Sequence, residues 1–244
     1  MFSEKLAADI IKSISIGKEF IYGEEKMKYK LEWGYKIKGS GPVLFTSEWL
    51  ESDLAIQAGE EIEKSGKASR LVFHDETGIS WTMKEMKKLV TEIEEEAHDI
   101  TVYFDGGFDK GSYRAGLGAV IYYKQGKKKY RIRANQVFDE METNNEAEYA
   151  ALYYAITILE ELGVHHLPCE FIGDSQVVLK QLEGEWPCYE DVLNKWLDRI
   201  EKKLKIMGIE PRYTPVSRKD NKEADKLAGQ ALESKIINSK MQIL

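Results

Sequence analysis

The feature that most constrains this chain is the order in which its hydrophobic segments change period. From residue 100 three runs with strand-like patterning follow one another, Ile100–Phe104, Ala115–Tyr123 and Lys129–Gln136, joined by short connections that contain glycine. Strands joined in this way form an antiparallel meander. The period then switches: Ala147, Ala151, Tyr154, Ala155 and Ile158 recur at helical spacing over Glu146–Leu162, and Gly163 supplies a helix-ending glycine. CEFIGD reads as a fourth strand, SQVVLKQLEG as a short helix, CYEDVLNKWLDRIEKKLKIMG as a longer one, IEPRYTPV as a fifth strand, and NKEADKLAGQALESKI as the last helix. Strands reached through helical crossovers pair in parallel. The expectation is an α/β fold: a mixed five-stranded sheet, βββαβαβα, flanked by helices.

Upstream lies a different pattern. KYKLEWGYKIKG and PVLFTSEW read as strands, EWLESDLAIQAGEEIEKSG as a helix, RLVFHD as a strand and WTMKEMKKLVTEIEEE as a helix. The acidic run EIEEEAHDI precedes the apolar ITVYF and places the boundary near residue 98. Residues 1–98 are thus expected to form a small α+β domain and residues 99–244 a larger one. Trp33, Trp49 and Trp81 of the small domain are expected to be core or half-buried residues.

Composition narrows the classes. With 43% hydrophobic residues in 244, the chain can bury a sizeable core. No stretch reaches the roughly 18 apolar residues of a membrane span, and charge breaks the opening MFSEKLAADIIKSISIGKEF, so a cytoplasmic protein with no membrane partner is expected. Cys169 and Cys188 have no metal-ligand spacing and read as reduced thiols. The net charge of −7 argues against holding nucleic acid by overall positive charge. Residues 1–98 carry 14 Lys plus Arg against 19 Asp plus Glu, and the remainder 21 against 23. The clearest local basic segment is KKKYRIR, Lys127–Arg133, in which Lys129, Arg131 and Arg133 alternate with Tyr130 and Ile132 as one row on a sheet face.

Four acids stand where a purely structural role is hard to supply. Asp105 ends the strand ITVYFD just before Gly106 and Gly107, and Asp174 ends CEFIGD, so each sits at a strand's carboxyl end, where sites form in such sheets. Asp174 is also a candidate helix N-cap. Asp225 lies among Ala224, Leu227, Ala228 and Ala231, close to a buried stripe where an unpaired acid is costly. In TNNEAE two acids compete. Thr143 and Glu146 fit a capping box that leaves Glu148 over, whereas a cap at Asn145 would box Glu148 instead. Should the acids converge, repulsion raises their pKa values and a divalent cation is the natural remedy; oxygen ligands without histidine or thiolate favour magnesium or manganese.

Taken together, YFDGGF around Asp105, TNNEAE around Glu148, GDSQ around Asp174 and NKEADKLA around Asp225 resemble the type 1 ribonuclease H family over residues 99–232. The resemblance implies a ribonuclease H-like sheet and hydrolysis of the RNA strand of an RNA–DNA hybrid. It also implies two magnesium ions, with manganese as the other candidate, and 3′-hydroxyl and 5′-phosphate ends. It makes Asp105, Glu148, Asp174 and Asp225 the catalytic metal ligands, with Glu148 the functional acid of TNNEAE. It places Thr143, Asn144, Asn145, Gln176 and Arg218 against the nucleic acid, where small amides and hydroxyls suit a minor groove lined with 2′-hydroxyls.

Two departures stand out. Where many members carry a histidine before the last aspartate, PVSRKDNKEAD has Arg218, as in the branch with a VxRxxN motif, and altered turnover follows. EGEWPCYEDVLNKW lacks a basic protrusion, so grip must come from KKKYRIR, from Trp186 and Tyr189, or from the first domain, which is faintly similar to a hybrid-binding module. Its acidic balance opposes that role. Two other readings stand beside the nuclease. One is a non-catalytic binding protein on the same scaffold; the other is a 3′-to-5′ exonuclease, whose first strand usually begins Asp-x-Glu, unlike Asp105-Gly106-Gly107.

Overall fold

The computed structural model describes residues 28–243. The chain divides into two compact units, between Glu95 and Glu96. Among the described residues no helix is long and apolar enough to cross a membrane.

In the first unit the strands β1 (Lys28–Tyr35), β2 (Val43–Thr46), β4 (Ala68–Asp75) and β5 (Ser80–Trp81) run in the order β2-β1-β4-β5, and the short β3 (Leu50–Glu51) also pairs with β1. All of these pairings are antiparallel. Alternate residues of β1, Tyr29 and Leu31, are buried in one core with Phe73 of β4, Ala55 of helix α1 (Ser52–Lys64) and Met86 of helix α2 (Met83–Glu95). Helix α2 starts at a reciprocal cap: the Glu85 amide donates to Thr82 Oγ1, and the Glu85 carboxylate accepts from the Thr82 amide and hydroxyl. Trp81 belongs to the core and Trp33 packs against it. Trp49 departs from expectation, being 43% exposed in the connection between β2 and β3, with the Lys30 ammonium 5.4 Å from its ring centroid. Asp75, at the end of β4, is buried and fully occupied. Its Oδ1 accepts from the Thr77 amide and hydroxyl and the Ile79 amide, and its Oδ2 from the Trp81 indole.

The second unit is a mixed sheet flanked by helices. Its meander consists of β6 (Ala97–Asp109), β7 (Arg114–Gln125) and β8 (Lys128–Phe138), all antiparallel. After helix α3 (Asn144–Glu161), β9 (Pro168–Gly173) joins β6 in parallel. Helices α4 (Gln176–Leu182) and α5 (Asp191–Met207) lead to β10 (Glu210–Pro215), parallel to β9, and helix α6 (Lys222–Leu232) follows. Gly208 stops α5 in a left-handed conformation (φ 63°), as its place after the last apolar position suggests.

Three features differ from the sequence reading. The sheet has six strands in the order β10-β9-β6-β7-β8-β11, because Asn238–Ile243 adds β11 antiparallel to β8. NSKMQI is polar and mostly exposed, so no apolar alternation announced it. The segment leading to it is fixed by the buried Asn135 of β8, whose amide donates to the carbonyls of Leu227 and Lys235 and whose Oδ1 accepts from the Ile237 amide. Second, α6 ends at Leu232 and does not run on through ESKI; Ser234 takes a positive φ of 60°. Third, β6 does not end at Asp105. It continues through both glycines to Asp109, paired with β7, and its first residue is Ala97.

Candidate active site

Gly106 of β6 and Gly116 and Gly118 of β7 lie where helices approach the strands closely. A Cβ on Gly106 would overlap the backbone of Ala147 in the first turns of α3, and one on Gly118 would overlap the Ala224 carbonyl at the start of α6. The side-chain-free backbone thus lets two helices settle on the sheet beside Asp105, one carrying Glu148 and the other Asp225. The pairing of β6 with β9 runs only as far as Tyr103 opposite Ile172, so Asp105 lies beyond it. Asp174 directly follows β9. Three elements and one loop start therefore bring the four acids around one cavity of about 500 Å³.

Within it Asp105, Glu148 and Asp174 can each present one carboxylate oxygen with all three within 4.8 Å of one another. Asp105 and Glu148 are each only 6% exposed. Burial, followed by the charges of Asp174 and Asp225, raises the Asp105 carboxyl to about 7. Burial, then Asp105 and Asp174, likewise pushes Glu148 well above the usual carboxylate range, partly offset by a hydrogen bond from the Gly106 amide at 3.2 Å. Arg218 opposes both shifts. Asp225 lines the same cavity, but its Oδ1 accepts from Arg218 Nε at 3.1 Å and Nη2 at 2.8 Å.

The competition within TNNEAE resolves in space. Thr143 caps α3 by accepting the Glu146 amide, and the Glu146 carboxylate turns back to the Glu142 amide, one residue before the cap residue whose amide a regular capping box would use. Its other oxygen accepts from the Trp196 indole at 3.1 Å. Glu146 is thereby fully employed, and Glu148 faces the cluster. Asp174 does not cap α4; Ser175 holds the N-cap position.

Of the other anticipated contact residues, Asn144 and Arg218 line the cavity, Thr143 is the helix cap and Asn145 is half-buried. Gln176 is exposed at the start of α4 and outside the lining, whereas the neighbouring Ser175 is part of it. Asn221, the last residue of the VxRxxN motif, is 1% exposed and ties the site together. Its amide donates to the Phe104 carbonyl at 2.9 Å and reaches Asp174 Oδ1 at 3.4 Å. Its position just before an apolar helical stripe was the available signal. The cationic row of KKKYRIR is partly engaged: Arg133 pairs with Glu223 at 2.7 Å and Arg131 with the same carboxylate at 3.4 Å. Trp186 and Tyr189 are 48% and 87% exposed.

A divalent cation suits this donor set. The oxygens are hard and convergent, two of the three carboxylates are desolvated against one another, and no thiol or imidazole belongs to the cluster. The fold and this acid cluster define a ribonuclease H-like α/β domain. The family model for reverse transcriptase-like proteins matches residues 103–231. The chain is 47% identical over 214 residues to the uncharacterized protein YpeP of Bacillus subtilis, covering 87% of this chain and 94% of that protein. Ribonuclease HI of Halobacterium salinarum is 37% identical over 92 residues, which is 37% of this chain and 44% of that protein. The crystal structure of RNase H1 from Halobacterium salinarum is similar at 31% identity and TM-score 0.49, covering 55% of this chain and 98% of that one. LC11-RNase H1 in complex with an RNA/DNA hybrid has 26% identity and TM-score 0.48, over 56% and 98%. The chain belongs to the ribonuclease H family, and its motifs fit type 1.

Proposed function

We propose that this protein is an endoribonuclease that hydrolyses the RNA strand of RNA–DNA hybrids and leaves 3′-hydroxyl and 5′-phosphate ends. The observation that carries the reading is the convergence of Asp105, Glu148 and Asp174 within 4.8 Å, in a chain related to a ribonuclease HI. Asp105, Glu148 and Asp174, with Asp225 on the wall of the same cavity, are the residues that would hold two ions, magnesium or manganese. When bound, such ions lower the pKa of an attacking water and stabilise the leaving 3′-oxygen.

The protein's own groups account for the rest. The Gly106 amide fixes the Glu148 carboxylate, and Asn221 fixes Asp174 against β6, so the ligands are positioned before any cation arrives. Asn144, at the rim, offers an amide to the hybrid's backbone and 2′-hydroxyls. Thr143 uses its oxygen as the helix cap and keeps a hydroxyl proton to donate, while Asn145, Gln176 and Arg218 supply further polar contacts on the approach.

The test is an end-labelled RNA–DNA hybrid incubated with the full chain in magnesium and in manganese, beside double-stranded RNA and double-stranded DNA. Cuts confined to the RNA strand of the hybrid are expected, and Asp105→Asn or Asp174→Asn should lower the rate by on the order of a thousandfold or more, with the fold intact by circular dichroism. A wild-type chain that binds hybrid in either metal and never cuts it would leave a binding protein in place of the enzyme.

A further inference from the structure

We infer that Arg218 holds the cation position at Asp225 closed, so that the four acids load in two steps and the second ion must displace the guanidinium. This rests on the reading of the acids as cation ligands and adds an order and a competitor to it. Asp105, Glu148 and Asp174 already form a group into which one ion fits. Asp225 stands outside that group although it lines the same cavity, and both Arg218 hydrogen bonds fall on one of its oxygens, at 3.1 and 2.8 Å. An ion bound through that oxygen competes with two N–H donors for its lone pairs, and one bound through Oδ2 stands beside the guanidinium charge. The arginine also places a positive charge beside the position the ion would take.

The restraint is a side chain on a fixed base. At one end of the loop the Val216 amide donates to the Gly173 carbonyl at 3.0 Å, and at the other Asn221 is bonded to the Phe104 carbonyl at 2.9 Å. Between these anchors the Arg218 side chain is 80% exposed, and that of Asp225, in α6, is 38% exposed. Attraction holds the arginine in place, to Asp225 first and then to Asp105 and Asp174, and little packing does. Exposed pairs of this kind are weak, so a cation can displace this one without unfolding the loop. A filled first site removes part of the negative charge that draws Arg218 inward, which makes displacement easier once the first ion is bound.

The test uses the full chain without nucleic acid, titrated with Mn²⁺ while free ion is followed by electron paramagnetic resonance. For the wild type one ion should bind tightly and a second more weakly. Arg218→Met, which keeps an apolar stem and removes the charge, should tighten the second ion roughly two- to fivefold, the scale of losing an exposed charged pair. Asp225→Asn should abolish the second ion whether or not the arginine is present. An unchanged or weakened second ion in Arg218→Met overturns the inference, as does a wild type that binds two equivalent ions. A wild type and an Arg218→Met variant that both bind no ion would instead sink the cation-ligand reading itself. Circular dichroism of each variant ties any difference to the exchanged side chain.

Discussion

Each unit of this protein buries an aspartate at or near the working end of a strand, and the two are treated in opposite ways. Asp75, 2% exposed, is surrounded by donors: two amides, a hydroxyl and an indole all point at it. Asp105, 6% exposed, is surrounded by other acids, and its carboxyl is pushed up to about 7. The first arrangement gives both oxygens of the side chain their hydrogen-bond donors and folds a turn around it, from Asp75 to Trp81. The second disfavours its own charge and is completed only by something brought from outside. Burial of an acid therefore says little until its neighbours are identified. Donors point to architecture, whereas fellow acids point to a ligand.

The contrast can be broken most directly in the first unit. Asp75→Ala leaves the Trp81 indole and the Thr77 and Ile79 amides without their acceptor, and should cost about 3 kcal/mol, read from urea denaturation of the full chain. A loss below about 1 kcal/mol would mean that the carboxylate is not what holds this turn.

Asp105→Asn should act in the other direction. Without divalent ions at pH 8 it should stabilise the protein by on the order of 2 kcal/mol, because it deletes a charge the fold resists. Added magnesium should erase that gain, and a variant less stable than wild type in chelator would contradict the picture.

The pH dependence sharpens the same point. The unfolded Asp105 carboxyl has a pKa near 3.9, and folded it is about 7. Between those values the native state binds the extra proton, so the contribution is fully present below the lower value and is lost as pH rises through the upper one. Melting temperature in chelator should accordingly fall from pH 5 to pH 8, and saturating Mn²⁺ should flatten the slope. Affinity for the cation should rise over the same interval, as protons leave the cluster. A melting curve in chelator indifferent to pH would remove the repulsive cluster from consideration.

The smallest effect concerns the pair in TNNEAE. Glu146→Gln should cost about 1 kcal/mol, since an amide can still accept from Trp196 or the Glu142 amide but with a weaker acceptor. Cleavage should survive that change and be lost in Glu148→Gln. Equal losses of activity would mean that the two acids are not divided as their contacts indicate.

The helices and central strands of the second unit were legible because their periods are strong. The alanines of α3 fall on the faces that pack, and β7 is an apolar run that the structure buries almost throughout. The acids were legible through their four motifs, and Glu148 only because the family pattern names it; geometry gives the independent reason, in the contacts that occupy Glu146. What stayed hidden depends on partners distant in sequence. Gly106 and Gly107 look like a turn and are strand, and the helix that needs the bareness of Gly106 arrives some forty residues later. The hold of Arg218 on Asp225, the burial of Asn221 and the engagement of Arg131 and Arg133 by Glu223 leave no mark in local composition. The strand at 238–243 has none either, as its side chains are chosen for water and its place comes from the main chain.

That added strand changes what the molecule presents to its own kind. An eleven-residue β8 with a bare flank would offer amides and carbonyls to any passing chain, and β11 fills six positions of that flank from within. The new outermost rim is short, polar and carries Lys240, a poor template for intermolecular zippering. Detaching this small segment would reopen those six positions of β8 to pairing with another chain.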